Sequence, residues 1–126
     1  MNRRDDQRLH DVLASAAAIG SHLERGDLLD GLVFDAVRVR LIEIGEAVKD
    51  IDAELLATEP DIPWRAVIGM RDRLAHRYFD TAYDVVASTV AEDLPLLVAA
   101  TERMLSQLGL SPTFDVERPT GPPGTA

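Results

Sequence analysis

Between Leu9 and Leu108 the apolar residues return every three or four positions, and that period constrains the fold more than any single residue does. Leu9, Val12, Leu13, Ala16, Ile19 and Leu23 form one stripe, and Val33, Val37, Leu41, Ile44, Val48 and Ile51 form a second. Spacing of i, i+3, i+4, i+7 places each set on one side of an α-helix. Asp30 stands where an N-cap carboxylate would accept the first free N–H groups, so the second helix is predicted from there to about Asp50, with a short extra turn over AELLA. Gly45, inside the second stripe, would admit a close neighbour. Pro63 suits the first position of a helix, which predicts a third helix running from it into RDRLAHRYFD, Arg71 to Asp80. A last helical region carries Val86, Val90, Leu94, Leu97, Met104, Leu105 and Leu108, and Pro95 should kink or divide it. No segment alternates with a period of two between turn signals, so the expected fold is all-α: an antiparallel bundle of four to five helices.

The chain has 126 residues, enough for one core. Residues 1–110 are expected to form the helical domain. Residues 111–126, SPTFDVERPTGPPGTA, hold four prolines and two glycines without an apolar period and read as a disordered tail. There is no cysteine, which excludes disulfides, thiolate zinc sites and thiol nucleophiles, and a reducing cytoplasm is the expected location. The first residues, MNRRDDQRLHD, lack the apolar core of a signal peptide, and the longest apolar run, LPLLVAA, is too short to cross a bilayer. A formal net charge of -9 argues against nucleic-acid binding over the whole surface. Local clusters can still bind, and from Arg65 to Arg77 the chain sets four arginines against Asp72 alone.

That basic island carries the candidate chemistry. On a helix, Asp72 and His76 are i, i+4 neighbours, so the carboxylate can hold the imidazole and favour its protonated form. Arg71 and His76 would point about 140° apart on a straight helix. To serve one substrate, either the helix ends or distorts near His76, or a second copy brings its own motif to the same cleft in a symmetric dimer. Arginine grips phosphate with a fixed fork and histidine exchanges protons near neutrality. Together they suffice for RNA cleavage without metal: histidine takes the proton of a ribose 2′-hydroxyl, that oxygen attacks the adjacent phosphorus, and arginine stabilises the developing charge.

Arg71, His76 and Tyr78 reproduce an R-x4-H-x-Y pattern that resembles the HepT toxins of the HEPN superfamily of all-helical nucleases. IGEAVKD from Ile44, PDIPW from Pro60, IGMRDRLAHRYFD from Ile68 and DLPLL from Asp93 also look like segments of that family, in order, so the resemblance covers residues 5 to 108. It implies a dimeric endoribonuclease toxin with a composite site, in which Arg71 and His76 are catalytic and Asp72 supports them. No cofactor is implied. The usual partner of the family is MntA, a nucleotidyltransferase antitoxin that transfers AMP from ATP to the motif tyrosine, here Tyr78. RNA is the implied substrate, with tRNA a candidate. Arg73 and Arg77 are not required by the pattern; they are candidates for RNA-phosphate binding, where they would also sit beside an adenylate.

Each signal has a plainer reading. Cations gather at helix C-termini because they complement the dipole, and Tyr78 can pack at a subunit contact with its hydroxyl in water. Trp64 reads as a packing anchor rather than a base-stacking platform, and Tyr83 as a packing residue. His10 and His22 lack metal-ligand spacing, so no metal site is expected. Glu43, Glu46 and Asp50 read as an exposed helix face. Two rival functions follow: a non-catalytic helical partner of a nucleotidyltransferase, and a nucleotide-binding accessory subunit.

Overall fold

The structure is a computed structural model, and it describes residues 4–75 and 79–112. Its elements are α1 (Arg4–Arg25), α2 (Gly31–Lys49), α3 (Ala53–Leu56), α4 (Trp64–Ile68), α5 (Met70–Leu74), α6 (Phe79–Ser88), a π-helical turn (Thr89–Asp93) and α7 (Leu94–Gln107). No strand occurs among the described residues, and the all-α bundle holds. Two expected helices are interrupted, so the described residues contain more pieces than the four to five helices expected.

The long helices are built as their stripes require. Leu9, Val12 and Ile19 of α1 face Phe34, Val37, Leu41, Ile44 and Val48 of α2, and Leu97, Ala100, Met104 and Leu105 of α7 close the core. Asp30 caps α2 as its type predicts: Oδ1 accepts from Leu32 N at 2.9 Å and Val33 N at 3.4 Å. The short turn over AELLA is α3, capped by Asp52. Trp64 anchors the next segment, its indole Nε1 donating to the carbonyls of Leu56 at 2.8 Å and Glu59 at 3.1 Å. Tyr83 packs as expected, its ring stacked on Phe34 with centroids 6.4 Å apart.

The helix expected to run from Pro63 through the arginines is broken at Gly69, whose ψ of 1° leaves the helical region. The break coincides with the place where this segment lies on α2. A Cβ at Gly45 would stand 2.7 Å from the Val67 carbonyl and 3.3 Å from the Met70 Cβ, a distance that only glycine leaves open. Close backbone approach is favoured over a continuous helix, and glycine at position 69 makes the interruption inexpensive.

Pro95 divides the last helical region as expected. The chain reaches it through the π-helical turn, in which Leu94 N bonds Thr89 O, and Pro95 then lies in the first turn of α7, where the wider turn before it accommodates a residue without an N–H. At the start of that turn the Thr89 hydroxyl donates back to the Val85 carbonyl of α6 at 2.6 Å. Helix α7 ends at Gln107, and just beyond it the φ of +75° at Gly109 lets Leu110 N reach Leu105 O at 2.9 Å. The tail expected to be disordered falls almost wholly on residues 113–126, outside the described residues.

Candidate ribonuclease site

Helices α4 and α5 carry the basic island. In WRAVI, Trp64, Val67 and Ile68 pack half-buried against the core while Arg65 and Ala66 are exposed, and in MRDRL only Met70 and Leu74 are buried. Arg71, Asp72 and Arg73 are all exposed. His76, Arg77 and Tyr78 lie outside the described residues, so the expected pairing of Asp72 with His76 does too. Helix α5 ends at Leu74, and Ala75 keeps an αR backbone.

Arg71 leans on α2. Its Nε is 3.8 Å from Glu46 Oε2, and the two side chains are 62% and 47% exposed. Such an exposed pair contributes little stability. Among the described residues it engages only Nε, leaving the Nη1/Nη2 fork for an incoming phosphate. Glu46 was read from the sequence as an ordinary exposed face. Its helical spacing to Glu43 and Asp50 gave no signal, because its partner comes from a segment 25 positions further along the chain.

Arg73, about 200° further round α5, borders a different feature. It lines an apolar cleft of about 70 Å³ with Leu41, Ile44, Met70 and Leu97, alongside Asp61 and Asp93. Arg71 and Arg73 therefore do not converge on one point. At the end of α5, Arg38 of α2 donates from Nη1 to the Leu74 carbonyl at 2.9 Å. Nothing in the sequence marked Arg38, which sits on the second helix without a motif around it.

The remaining candidates behave as boundary residues. His10 Nε2 bonds the Ser111 carbonyl at 2.9 Å, and His22 Nε2 accepts from Arg40 Nε at 3.2 Å. Glu43 is occupied by Arg40 and Ser15, and Asp50 lies 3.6 Å from Arg8. Among the described residues no group of three or more His, Cys, Asp or Glu is placed to hold a metal ion, and no helix is long and apolar enough to cross a membrane.

Arg71 is thus an exposed arginine on a short helix, in loose contact with a long one and five positions ahead of His76 in the sequence. The model of the ribonuclease HepT-like family matches residues 10–104. The chain belongs to that family. Its HepT-like relatives include a probable ribonuclease HepT of Thermococcus cleftensis, 42% identical over 67 residues that make up 52% of this chain and 61% of that protein. A putative RNase of Caldanaerobacter subterraneus subsp. tengcongensis is 33% identical over 82 residues, 64% of this chain and 73% of the relative. A putative RNase of Methanocaldococcus jannaschii is 28% identical over 107 residues, 81% of this chain and 98% of the relative. No solved structure gives a significant match.

Proposed function

We propose that this protein is a metal-independent endoribonuclease and the toxin of a bacterial toxin–antitoxin pair. The observation that carries the reading is the HepT-like family match over residues 10–104, which contains the whole R-x4-H-x-Y motif from Arg71 to Tyr78. The exposed Arg71, with its guanidinium fork turned to no other described residue, supports it.

In this reading His76 takes the proton of a ribose 2′-hydroxyl, and the 2′-oxygen forms a bond to the adjacent phosphorus. The bond from phosphorus to the 5′-oxygen then breaks, that oxygen gains a proton, and a 2′,3′-cyclic phosphate remains. Arg71 balances charge on the phosphoryl oxygens in the transition state, and Asp72 supports the pair. Arg73 and Arg77 contact phosphates away from the one being cleaved, consistent with the divergence of Arg73 from Arg71. RNA is the substrate, with tRNA the candidate class, and the action is cytoplasmic.

The site is composite in a homodimer. Leu32, 83% exposed, and Val39, 47% exposed, lie seven residues apart on one side of α2 and give that helix an uncovered apolar stripe, which supports a partner copy there. An MntA-like nucleotidyltransferase neutralises the toxin by AMPylation: the Tyr78 hydroxyl attacks the α-phosphorus of ATP and pyrophosphate leaves. Residues 1–110 act as the catalytic domain and 111–126 as an appended tail.

The test is incubation of unmodified wild type, Arg71→Ala and His76→Ala with total RNA in EDTA, followed by end-group analysis. Discrete fragments ending in cyclic phosphate, made by wild type alone, are expected. Intact RNA with folded, unmodified wild type sinks the nuclease reading. Glu46 beside Arg71 and the charge of -9 would then favour a non-catalytic partner or nucleotide-binding subunit of a nucleotidyltransferase, separable by ATP calorimetry.

A further inference from the structure

The two irregular stretches of the chain border one cleft. Residues on both sides of the Gly69 break line it, residues of the π-helical turn and the start of α7 line it as well, and Leu41 and Ile44 of α2 complete it. Helical irregularities of this kind recur at functional sites. The cleft measures about 70 Å³. That is under half of the ~150 Å³ of a cavity that takes benzene, so it suits a branched aliphatic group of roughly three or four carbons rather than a ring. Leu41, Ile44, Met70 and Leu97 around it are each no more than 6% exposed. Thr89 lines it too, but its hydroxyl is directed to the Val85 carbonyl, so the interior is apolar.

The border is charged with both signs. Asp61 precedes α4, Arg73 belongs to α5 and Asp93 ends the π-helical turn, and all three are exposed. Opposite charges that border one small cleft would ordinarily pair. Among the described residues none of the three forms an ion pair, with one another or with any other side chain. Asp61 is near enough to Arg103 for its charge to be felt there, although the hydrogen bonds of Arg103 go to Glu59. Asp93 stands at the N-cap of α7 and its side chain makes no capping bond. Its carboxylate and the Arg73 guanidinium are therefore the border groups least engaged by the protein, one an acceptor for a cation and the other a fork for a carboxylate.

We propose that this cleft binds a small zwitterion with a branched aliphatic side chain, a free amino acid of the leucine type. The alkyl group enters the apolar interior, the ammonium meets Asp93 and the carboxylate meets Arg73. An alkyl amine or an alkyl acid would fill the interior equally well but answer only one of the two charges. The proposal stands apart from the ribonuclease reading, in which the same arginine contacts phosphate, and its test reads binding alone.

The experiment follows the methionine methyl NMR signals of the full chain during titration with L-leucine, isoamylamine, which lacks the carboxylate, and isocaproate, which lacks the ammonium. Met70 lines the cleft, whereas Met104 is wholly buried on α7 away from it, so one reports the ligand and the other the fold. L-Leucine should move the Met70 signal with a Kd of roughly 0.1–1 mM, ordinary for so small a ligand, and leave Met104 in place. Isoamylamine and isocaproate should each bind about tenfold more weakly, and leucine should bind Asp93→Asn and Arg73→Gln about tenfold more weakly, because each change removes one charge-assisted contact. Both substitutions fall on exposed side chains, and an unmoved Met104 signal in each variant verifies its fold. A Met70 signal that leucine leaves in place well above that range overturns the proposal. So does isoamylamine or isocaproate binding as tightly as leucine, wild-type affinity in either variant, or movement of Met70 and Met104 alike. A Met70 signal that shifts with protein concentration and not with leucine assigns the cleft to a second copy of the chain, which also overturns it.

Discussion

The bundle of α1, α2 and α7 and the segment from Trp64 to Ala75 are held by different physics. In the bundle, Leu9, Val12, Val37, Met104 and Leu105 are wholly buried, and the apolar area removed from water supplies the driving force. In the segment, α4 buries none of its residues and α5 buries only Met70 and Leu74. Its place is set by a smaller apolar contact, the half-buried Trp64, Val67 and Ile68 against the core, together with polar and backbone contacts to α2: the backbone against Gly45 and the Arg38 bond to Leu74 O, with the loose Arg71–Glu46 pair beside them. The contrast teaches that α2 has two jobs along adjoining stripes. One stripe fills the core, and Arg38 and Gly45 beside it form a rail on which the basic island is mounted.

If that division is right, stability should fall most where only the core is touched. Phe34, 2% exposed and stacked on Tyr83, is on the core side. Phe34→Ala should cost about 3–5 kcal/mol in denaturant unfolding, the usual range for emptying an aromatic site. A loss under about 1 kcal/mol, below that range, would show that the bundle is not the stabilising region.

Gly45 tests the rail itself. Glycine to alanine inside a helix ordinarily gains about 0.5–1 kcal/mol. Here the new Cβ would meet the Val67 carbonyl at 2.7 Å, and a backbone atom cannot swing aside as a side-chain tip can. Gly45→Ala should therefore destabilise by about 1–3 kcal/mol, as overpacking does, and RNA cleavage should fall with it as the segment shifts. A stabilised variant with full activity would mean that α2 and the segment are not rigidly seated on each other.

The same division explains what was legible in the sequence. The core side was readable because its signal is periodic and local: the stripes of α1 and α2, the Asp30 cap and the break at Pro95 each need only a few neighbouring residues. Gly45 was visible as a site of close approach, though not what approaches it. The rail was not readable, because Arg38 and Glu46 acquire their roles from residues 36 and 25 positions away, respectively, and on their own helix they are two charges among many. The interruption at Gly69 was missed for the same reason, since it follows from contact with α2 and not from the local apolar pattern. For the site, Arg71, Asp72 and Arg73 were singled out by charge clustering and motif. Their divergence into separate surroundings came only with the break and the packing on α2.

A smaller effect separates the two regions by pH. Glu59, just before α4, is held below the ordinary carboxylate range mainly by the hydrogen bonds it accepts from Arg103 of α7, the shortest at 2.7 Å, with the guanidinium charge adding to this. A carboxylate with a depressed folded pKa contributes stability that is present above its unfolded pKa and lost as pH falls through the folded one. The Tm difference between wild type and Arg103→Met should accordingly be small near neutrality and should vanish below the ordinary carboxylate range. A difference that persists in acid would assign it to packing of the arginine stem. Cleavage measured near neutrality should be unchanged, because this clamp fastens the start of the segment to α7 and not its motif end.

The smallest stability effect should accompany a large functional one. Arg71 is exposed, and its Glu46 contact at 3.8 Å is loose. Arg71→Ala should leave unfolding free energy within about 0.5 kcal/mol of wild type, the range for surface positions. Under the proposed chemistry it should still reduce RNA cleavage by about a hundredfold or more, since the lost cation balances charge that appears only in the transition state. Glu46→Gln sharpens the point. Removing the carboxylate frees Arg71 and takes away a charge that repels phosphate, while losing a brace on the guanidinium. If bracing matters more, kcat falls with KM little changed; if repulsion matters more, KM falls with kcat little changed. The first result would extend the rail from the backbone to the catalytic side chain. The second would confine it to Gly45 and Arg38, with Glu46 acting on the substrate's charge alone.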